Sequence, residues 1–285
     1  MWTKLRPHLL HFLAYGVLFA ALAVTLFPIV WVLAASFKME DSLFSGNLFP
    51  RALTLKNYER LLAETPFWTW MKNTLILCSF TTLVSLFATT TAGYAFSRFR
   101  FSGRKGTLMA VILLQMFPSA MAMVAIFKLL IYMSRMSGGL VGLNTLSGLI
   151  LIYAAGSIPF STWMVKGYVD SLPRELEESA YIDGASHWQT FTRIVFPLMG
   201  PILAVVAIFN FIAPYTDFLL PSVVLTGAEK YTLAVGMRSF IANQFSTNWS
   251  QFAAASTLGS IPILVVFMSL QRFLVEGLTK GAVKG

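Results

Sequence analysis

Six polar side chains in apolar stretches of the sequence are the residues best suited to contact a solute. Carboxamides, hydroxyls and aromatic faces without a fixed charge can hydrogen-bond a neutral molecule rich in hydroxyl groups. These side chains belong to Gln115, Tyr153, Ser157, Asn210, Tyr215 and Thr216. The same stretches are interrupted by Pro118, Pro159, Pro201, Pro214 and Pro221. A broken helix leaves backbone groups for neighbours or cavity water to satisfy, so the pattern favours a solute path; the alternative is that these groups only join helices together.

The sequence lacks the motifs of a self-sufficient enzyme. No G-x4-G-K-[ST] phosphate-binding loop occurs, so we do not expect this polypeptide to hydrolyse ATP alone. Its three His and one Cys do not form a metal-ligand cluster, and no catalytic constellation is present. We therefore interpret the chain as a protein without catalytic residues, metal or cofactor.

The composition predicts an all-α, polytopic membrane protein with one transmembrane domain over residues 1–285. Hydrophobic residues make up 56% of the chain, charged residues only 12%, and the mean hydropathy is +0.70. A bilayer core needs about 20 apolar residues per helix. Six stretches meet this length, at about 9–35, 74–96, 107–127, 146–165, 198–225 and 252–274. The net charge of +9 comes from scattered basic residues, so nucleic-acid binding is not expected and the lipid bilayer is the predicted partner.

The distribution of Lys and Arg predicts the orientation of these spans. Segments 1–8, 97–106, 166–197 and 272–285 hold 12 of them, against eight in the alternate loops, with Lys128 at a span end. The positive-inside rule therefore places both termini and segment 166–197 in the cytoplasm.

Asp217 is an ionisable residue in the fifth apolar stretch, and such a residue is a functional candidate by default. At about 1.5 Å per residue, however, the roughly 20 positions after Pro197 already cover about 30 Å. We therefore expect Asp217 near the outer face, as a gate or as a helix contact. A proton relay is disfavoured, because the spans offer no second carboxylate and no His beyond His11.

The polar segment 171–197 predicts two short helices joined by a turn. Pro173 suits a first helical turn, and the acidic residues that follow it favour a helix N-terminus. Asp183-Gly184 should end that helix, because Gly adopts a left-handed conformation without steric strain. Ser186-x-x-Gln189 then predicts a capping box and a second helix running toward Pro197. We call segment 171–197 the elbow.

The elbow also resembles a known motif. Its Glu178-Ser179-Ala180, Gly184 and Ile194-Val195-Phe196-Pro197 are similar in type and spacing to the E-A-A-x3-G-x9-I-x-L-P signature of the membrane subunits of bacterial ATP-binding-cassette importers. Two positions depart from it, Ser179 for Ala and Phe196 for Leu. In that family the elbow is the cytoplasmic element that docks into a separate ATPase subunit. The resemblance implies an ATPase-coupling role for Glu178, Ser179, Ala180, Asp183, Gly184 and Ala185; the residues alone also allow a hairpin lying on the membrane surface.

Further motifs resemble the sugar-transporting branch of this family, in particular the smaller permease subunits of maltose and maltodextrin importers. They are Pro50-x-x-x-Thr54-x-x-Asn57-Tyr58, Asn73-Thr74, Glu229–Met237, Trp249–Ala255 and the ending 271–285. The resemblance implies a bacterial cytoplasmic (inner) membrane location. It also implies assembly with a second permease subunit, a dimer of ATPase subunits and an extracytoplasmic sugar-binding protein.

Two segments have roles that the resemblance alone implies. The outer loop 226–250, with Asn243, Gln244 and Asn248, would reach into the binding protein; a passive cap is the alternative. The tail, with Lys280, Lys284 and Gly285, would pack between ATPase subunits. The alternative is that its positive charges only keep the C-terminus on the cytoplasmic side of the membrane. Another sugar substrate, such as trehalose or glycerol phosphate, and an ion-coupled secondary transporter or channel remain alternative functions.

Overall fold

All regular elements in the described part of the chain are helices. The computed structural model describes residues 2–39, 52–116, 118–241 and 248–282, and of these it describes the backbone alone for 2–10, 119–120 and 274–282. An isolated β-bridge joins Lys38 and Leu53. This confirms the predicted all-α class.

The helices fall into two compact units. The first unit comprises Met1–Phe67 and Met237–Ile261, and the second comprises Trp68–Gly236 and Pro262–Gly285. Among the longest helices, α1 (Trp2–Ser36) lies in the first unit and α6 (Leu146–Asp170) in the second. α3 (Phe67–Arg98) lies in the second unit apart from its first residue, and α13 (Trp249–Ala282) has residues in both. The shorter ones before the elbow are α2 (Lys56–Glu64), α4 (Arg104–Gln115) and α5 (Ser119–Met136). The remainder are α7 (Glu175–Ile182), α8 (His187–Thr190), α9 (Phe196–Leu198), α10 (Gly200–Thr216), α11 (Leu219–Val224) and α12 (Leu233–Met237).

Several of these helices are long and apolar enough to cross a membrane. Within the described residues four single helices qualify, over His11–Ser36, Phe67–Arg98, Leu146–Asp170 and Trp249–Phe273. A fifth candidate is a bent pair, His187–Leu198 with Gly200–Thr216, whose two parts meet at 73°. The protein is thus multi-pass by helix length and composition.

The predicted third span, 107–127, is divided between two helices. α4 ends at Gln115, and Pro118 takes an extended conformation (φ −60°, ψ 119°) as the N-cap of α5. Proline disfavours the α conformation in the residue before it and cannot donate a backbone hydrogen bond. The sequence therefore correctly predicts an interruption here.

Two other predicted interruptions are wrong. Pro159 lies inside α6 and Pro214 inside α10, and both helices continue through them. Membrane-type helices tolerate such residues because neighbouring groups and local adjustments satisfy the freed backbone carbonyls. The predicted fifth span, 198–225, instead breaks at Asp217, which is extended at ψ 125°, between α10 and α11.

The second unit contains two apolar cores that fix its helices. One core joins α3, α6, the elbow and α10 through Tyr94, Val165, Val169, Phe191, Val195, Met199 and Val206. The other is built around Leu77, Leu130, Leu149, Val224 and Leu225. The first core places the elbow at one end of α3 and α6.

Candidate functional site

The elbow is a helix, a tight turn and a second helical segment. α7 begins at Glu175, two residues after the predicted start near Pro173, with three Glu residues in its first turn. There they interact favourably with the helix dipole. Gly184 has φ +83°, a left-handed conformation that side-chain-bearing residues rarely adopt. Hydrogen bonds from Gly184 N to Tyr181 O (3.1 Å) and from Ala185 N to Ala180 O (2.9 Å) close the end of α7.

The second half of the elbow starts with the predicted capping box. Ser186 N donates to Gln189 Oε1 at 2.8 Å, and Gln189 N donates to Ser186 Oγ at 3.3 Å. α8 is followed by one π-helical turn over Phe191–Val195, in which Phe196 N donates to Phe191 O. Pro197 comes next and has no N–H to donate, so the wider turn reshapes the backbone just where a regular helix would be interrupted.

A buried ion pair fastens the elbow to the end of α3. Arg98 Nε donates to Glu177 Oε1, and both side chains are only 7% exposed. Tyr94 Oη donates to Glu177 Oε2 at 3.0 Å. Arg98 also donates to the carbonyl of Leu172 at 3.1 Å. The carboxylate and the guanidinium are thus held by groups from α3, α7 and the chain between α6 and α7.

A second polar contact joins α3 to the end of α6. Ser97 Oγ donates to Asp170 Oδ1, and Lys166 Nζ donates to Asp170 Oδ2. Arg98 Nη1 donates to Ser97 Oγ at 3.2 Å, which links this contact to the ion pair. The network is continuous from α6 through α3 to α7.

The predicted coupling residues divide into an exposed and a buried group. Glu178, Ser179, Asp183 and Gly184 are exposed, and Ala185 is half-buried. Ala180 is only 8% exposed and packs within the chain, and its ATPase contact stays a prediction. An open groove of about 270 Å³ lies beside the turn, lined by Asp183, Gly184, Ala185, Gln189, Arg193 and Ile194. The exposed edge of the elbow therefore combines a protruding turn with a concave surface.

Sequence reasoning missed the two residues that hold the elbow in place. In the sequence, Arg98 is one of the basic residues of segment 97–106 that indicate topology, and Glu177 is one of the acidic residues that favour the start of a helix. The available signal was the helical spacing of Glu177 and Ala180, three residues apart, which puts both on the face of α7 that is buried. The position of Arg98 carries no such signal, because the pair is 79 residues apart in the chain.

Three candidate path residues and their neighbours connect helices. Tyr153, Ser157 and Ser161 follow each other at four-residue intervals along α6. Tyr153 Oη donates to Asp217 Oδ2 at 2.7 Å, and Ser157 Oγ and Ser85 Oγ lie 2.7 Å apart. Ser161 Oγ donates to Asn210 Oδ1 at 3.4 Å. The geometry of this polar seam is that of helix-joining contacts, the alternative role expected for Tyr153, Ser157 and Asn210.

The side-chain amide nitrogen of Asn210 remains available for a further hydrogen bond. Asn210 is 4% exposed, and in the described part of the chain its Nδ2 has no hydrogen-bond partner. A buried amide N–H without a partner is unfavourable, so this atom favours a partner beyond the described groups, such as water or a solute.

The other three candidate path residues are not brought together. Gln115 is the exposed last residue of α4, in a depression of about 170 Å³ that Pro159 and Trp163 of α6 also line. Tyr215 is buried, donates to Met71 Sδ at 3.5 Å and stacks on Phe211 with ring centroids 5.8 Å apart. Thr216 is exposed and donates to the carbonyl of Ile212 at 3.1 Å.

The sequence motifs before α3 and at its start act as clamps. In the first unit, Asn57 Nδ2 donates to the carbonyls of Ser36 (2.9 Å) and Lys38 (2.8 Å), and Tyr58 Oη lies 2.7 Å from Ser36 Oγ. The Thr-x-x-Asn-Tyr motif thus folds the chain after α1 onto α2.

In the second unit, the start of α3 holds the loop that follows α11. Asn73 Nδ2 donates to the carbonyls of Glu229 (2.9 Å) and Tyr231 (3.0 Å), and Leu233 N donates to Thr74 Oγ1 at 2.7 Å. The first part of loop 226–250 is therefore fixed by hydrogen bonds.

The remaining predicted loop and tail residues are described only in part. Asn248 is half-buried and caps α13: Gln251 N donates to its Oδ1 at 3.3 Å, and its Nδ2 donates to Gln251 Oε1 at 2.9 Å. Asn243 and Gln244 lie outside the described residues, as do Lys284 and Gly285. Lys280 lies in α13, and its side chain is not described.

The sequence of residues 83–280 matches the model of a family described as binding-protein-dependent transport system inner membrane component. This match covers the elbow, α6 and the polar seam. The chain belongs to this family. The family predicted from the elbow motif is thereby confirmed, and the protein is a permease subunit of a binding-protein-dependent transport system.

Individual family members are similar along nearly the whole chain. The galactooligosaccharides transport system permease protein GanQ of Bacillus subtilis is 39% identical over 285 residues, which cover 99% of this chain and 98% of GanQ. The maltodextrin transport system permease protein MdxG of the same organism is 38% identical over 262 residues, or 92% of either chain. A chain of a bacterial ABC transporter that imports the polysaccharide alginate has the same fold, with a TM-score of 0.78 at 22% identity over 93% of this permease and 96% of that chain.

Proposed function

We propose that this permease subunit belongs to an ATP-driven importer of maltose- and maltodextrin-type sugars in a bacterial cytoplasmic membrane, and that its elbow transmits ATP hydrolysis to the membrane helices. The observation that carries the proposal is the elbow itself: an exposed turn beside a groove, fastened to α3 by the Arg98–Glu177 pair. A separate ATPase subunit supplies hydrolysis, because the sequence has no phosphate-binding loop.

The proposed topology has six crossings with both termini in the cytoplasm. In this reading α4 and α5 form the third crossing around the break at Pro118, and the bent pair forms the fifth. The excess of Lys and Arg in the segments on the elbow's side supports this orientation.

The substrate proposal rests on the relatives and on the chemistry of the polar seam. MdxG is a maltodextrin permease by name, and the seam contains the Asn210 carboxamide, a group suited to hydrogen-bond a neutral sugar. GanQ is named for the transport of galactooligosaccharides, so galactooligosaccharides are the main alternative substrate. Among the candidate path residues, Asn210, with its unpaired Nδ2, and the exposed Gln115 and Thr216 are the ones with capacity for a solute.

Uptake into proteoliposomes tests this function. The permease is reconstituted with its second permease subunit, the ATPase subunits and the binding protein, and labelled maltotriose is supplied with ATP inside. We expect ATP-dependent uptake that excess unlabelled maltotriose abolishes and a galactooligosaccharide leaves nearly unchanged. If the galactooligosaccharide competes more strongly than maltotriose, the proposed substrate is wrong and galactooligosaccharides take its place. Uptake driven by an ion gradient without ATP would overturn the importer proposal.

The outer loop 226–250 is proposed to help release sugar from the binding protein. Its first part is anchored to α3 by Asn73 and Thr74, which gives the loop a fixed starting point. A loop that contacts the open binding protein better than the closed one shifts that equilibrium toward release, whereas equal contacts shift nothing.

Replacing residues 242–248 by a short Gly-Ser link should lower transport by about tenfold while the complex still assembles. Transport and binding-protein-stimulated ATP hydrolysis are measured in the same preparation. Because Asn248 caps α13, a second variant that keeps Asn248 and replaces only 242–247 controls for loss of the cap. Wild-type transport in both variants would contradict the release role and favour the interpretation of the loop as a passive cap.

The C-terminal tail is proposed to contact the ATPase subunits through Lys280, Lys284 and Gly285. α13 continues as a helix to Ala282, so a tail that follows the last crossing would project from it toward the elbow's side of the membrane. Removing residues 279–285 should weaken association with the ATPase in a pull-down and leave membrane insertion intact.

A further inference from the structure

Attaching a surface hairpin to a neighbouring helix does not require a buried ion pair such as Arg98–Glu177. Both side chains are almost fully removed from solvent. Taking two charges out of water is costly, and a buried pair seldom adds net stability compared with apolar side chains of the same volume. Such a pair instead fixes a defined geometry, because each buried charge is stable only when its hydrogen-bond partners lie in the correct positions.

The partners of the pair come from three segments that must stay in register. Tyr94 and Arg98 lie on adjacent turns of α3 and reach the two different oxygens of the Glu177 carboxylate. Arg98 in turn holds the carbonyl of Leu172, in the chain that connects α6 to α7. A rotation or translation of α7 relative to α3 would break several charge-assisted hydrogen bonds together.

The two neighbouring glutamates at the start of α7 face in different directions. Glu178, the residue of the family motif, is exposed on the edge of the elbow, whereas Glu177 is buried and faces α3. A partner that pushes or pulls on the exposed edge therefore acts on α3 through the side chain next to the motif residue.

We propose that Arg98 and Glu177 form a latch that keeps the elbow and α3 moving as one body during transport, so that Glu177 is a positioning residue for coupling. This inference rests on the proposed ATPase-docking function and extends it: docking occurs on the exposed edge, and transmission to the membrane helices passes through the latch. Glu177 does not touch the ATPase in this arrangement. Its loss leaves the docking surface present but lets that surface move without α3.

The reconstituted complex tests the latch with Glu177→Gln, which keeps the shape of the side chain and removes its charge. The number of sugar molecules transported per ATP hydrolysed should fall by about tenfold, while association with the ATPase stays at the wild-type level. Glu175→Gln is the matched control, because Glu175 is an exposed glutamate in the same helical turn. That variant should keep the wild-type ratio.

A further variant makes the test specific to the contacts of the Glu177 carboxylate. Tyr94→Phe removes one hydrogen bond to Glu177 and leaves its charge paired with Arg98, so it should fold normally and lower the ratio by about fivefold.

The outcomes separate the latch from the docking function. Wild-type coupling ratios in both Glu177→Gln and Tyr94→Phe would overturn the latch. If Glu177→Gln does not accumulate in the membrane, the Tyr94→Phe result decides alone. A loss of ATPase association in Glu177→Gln would show that Glu177 belongs to the docking surface, which also contradicts the latch. A failure of the docking function itself appears separately, as normal coupling when the exposed turn is altered.

Discussion

A tryptophan at position 184 should uncouple the importer while leaving it in the membrane. Gly184 has φ +83° and faces open space, since a methyl group built there meets no atom within 4 Å. Trp at a left-handed position stores about 1–3 kcal/mol of strain. Its side chain would also occupy the surface on which we place the ATPase. We expect sugar-stimulated ATP hydrolysis and transport to fall by about tenfold.

Gly103→Trp separates strain from docking. Gly103 has nearly the same backbone conformation (φ +85°) and equally open surroundings, but it lies before α4, outside the elbow. The backbone strain is therefore matched, and only position 184 carries the proposed contact. Equal activities of the two variants would remove the reason for placing the ATPase at the turn.

A valine at position 93 should destabilise the permease itself. α3 passes very close to α6 there: a methyl group on Gly93 would lie 2.4 Å from Cγ1 of Val165 and 3.1 Å from the backbone nitrogen of Lys166. Val165 is fully buried and stiff about χ1, so neither helix can yield cheaply. Overpacking of this kind costs about 1–3 kcal/mol. We expect a lower thermal unfolding temperature in detergent and less protein in the membrane.

Gly167→Val provides the control for that substitution. Gly167 is also inside a helix, and a methyl group there meets no atom within 4 Å, so the helix-propensity penalty of valine is the same without the clash. Similar unfolding temperatures for the two variants would contradict the close approach of α3 and α6.

Local chemistry made the ends of the elbow helices predictable from sequence. The capping box of Ser186 and Gln189 and the left-handed Gly184 depend on residues within four positions of each other, and the structure contains both features. The start of α5 at Pro118 was predictable for the same reason. Each case follows from backbone geometry and nearby hydrogen bonds, without reference to the rest of the fold.

Contacts between distant segments were not predictable in this way. Pro159 and Pro214 looked like helix breaks, yet both helices continue through them. The partners of Tyr153 and Glu177 lie 64 and 79 residues away, so no local pattern identifies Asp217 or Arg98 as the group that each one meets. The motif likewise drew attention to Ala180, although its burial becomes visible only once α7 is packed against the chain.

Site-directed cross-linking measures the central claim, that the exposed edge of the elbow docks on the ATPase. The chain has one cysteine, Cys78, which is buried in α3, so Cys78→Ala gives a cysteine-free background. A photoreactive cross-linker is attached to Asp183→Cys in the reconstituted, transporting complex, with Thr226→Cys in the outer loop as control. We expect a cross-linked band between the permease and the ATPase subunit from position 183 and none from position 226. Absence of that band in a complex that still transports sugar would contradict the account.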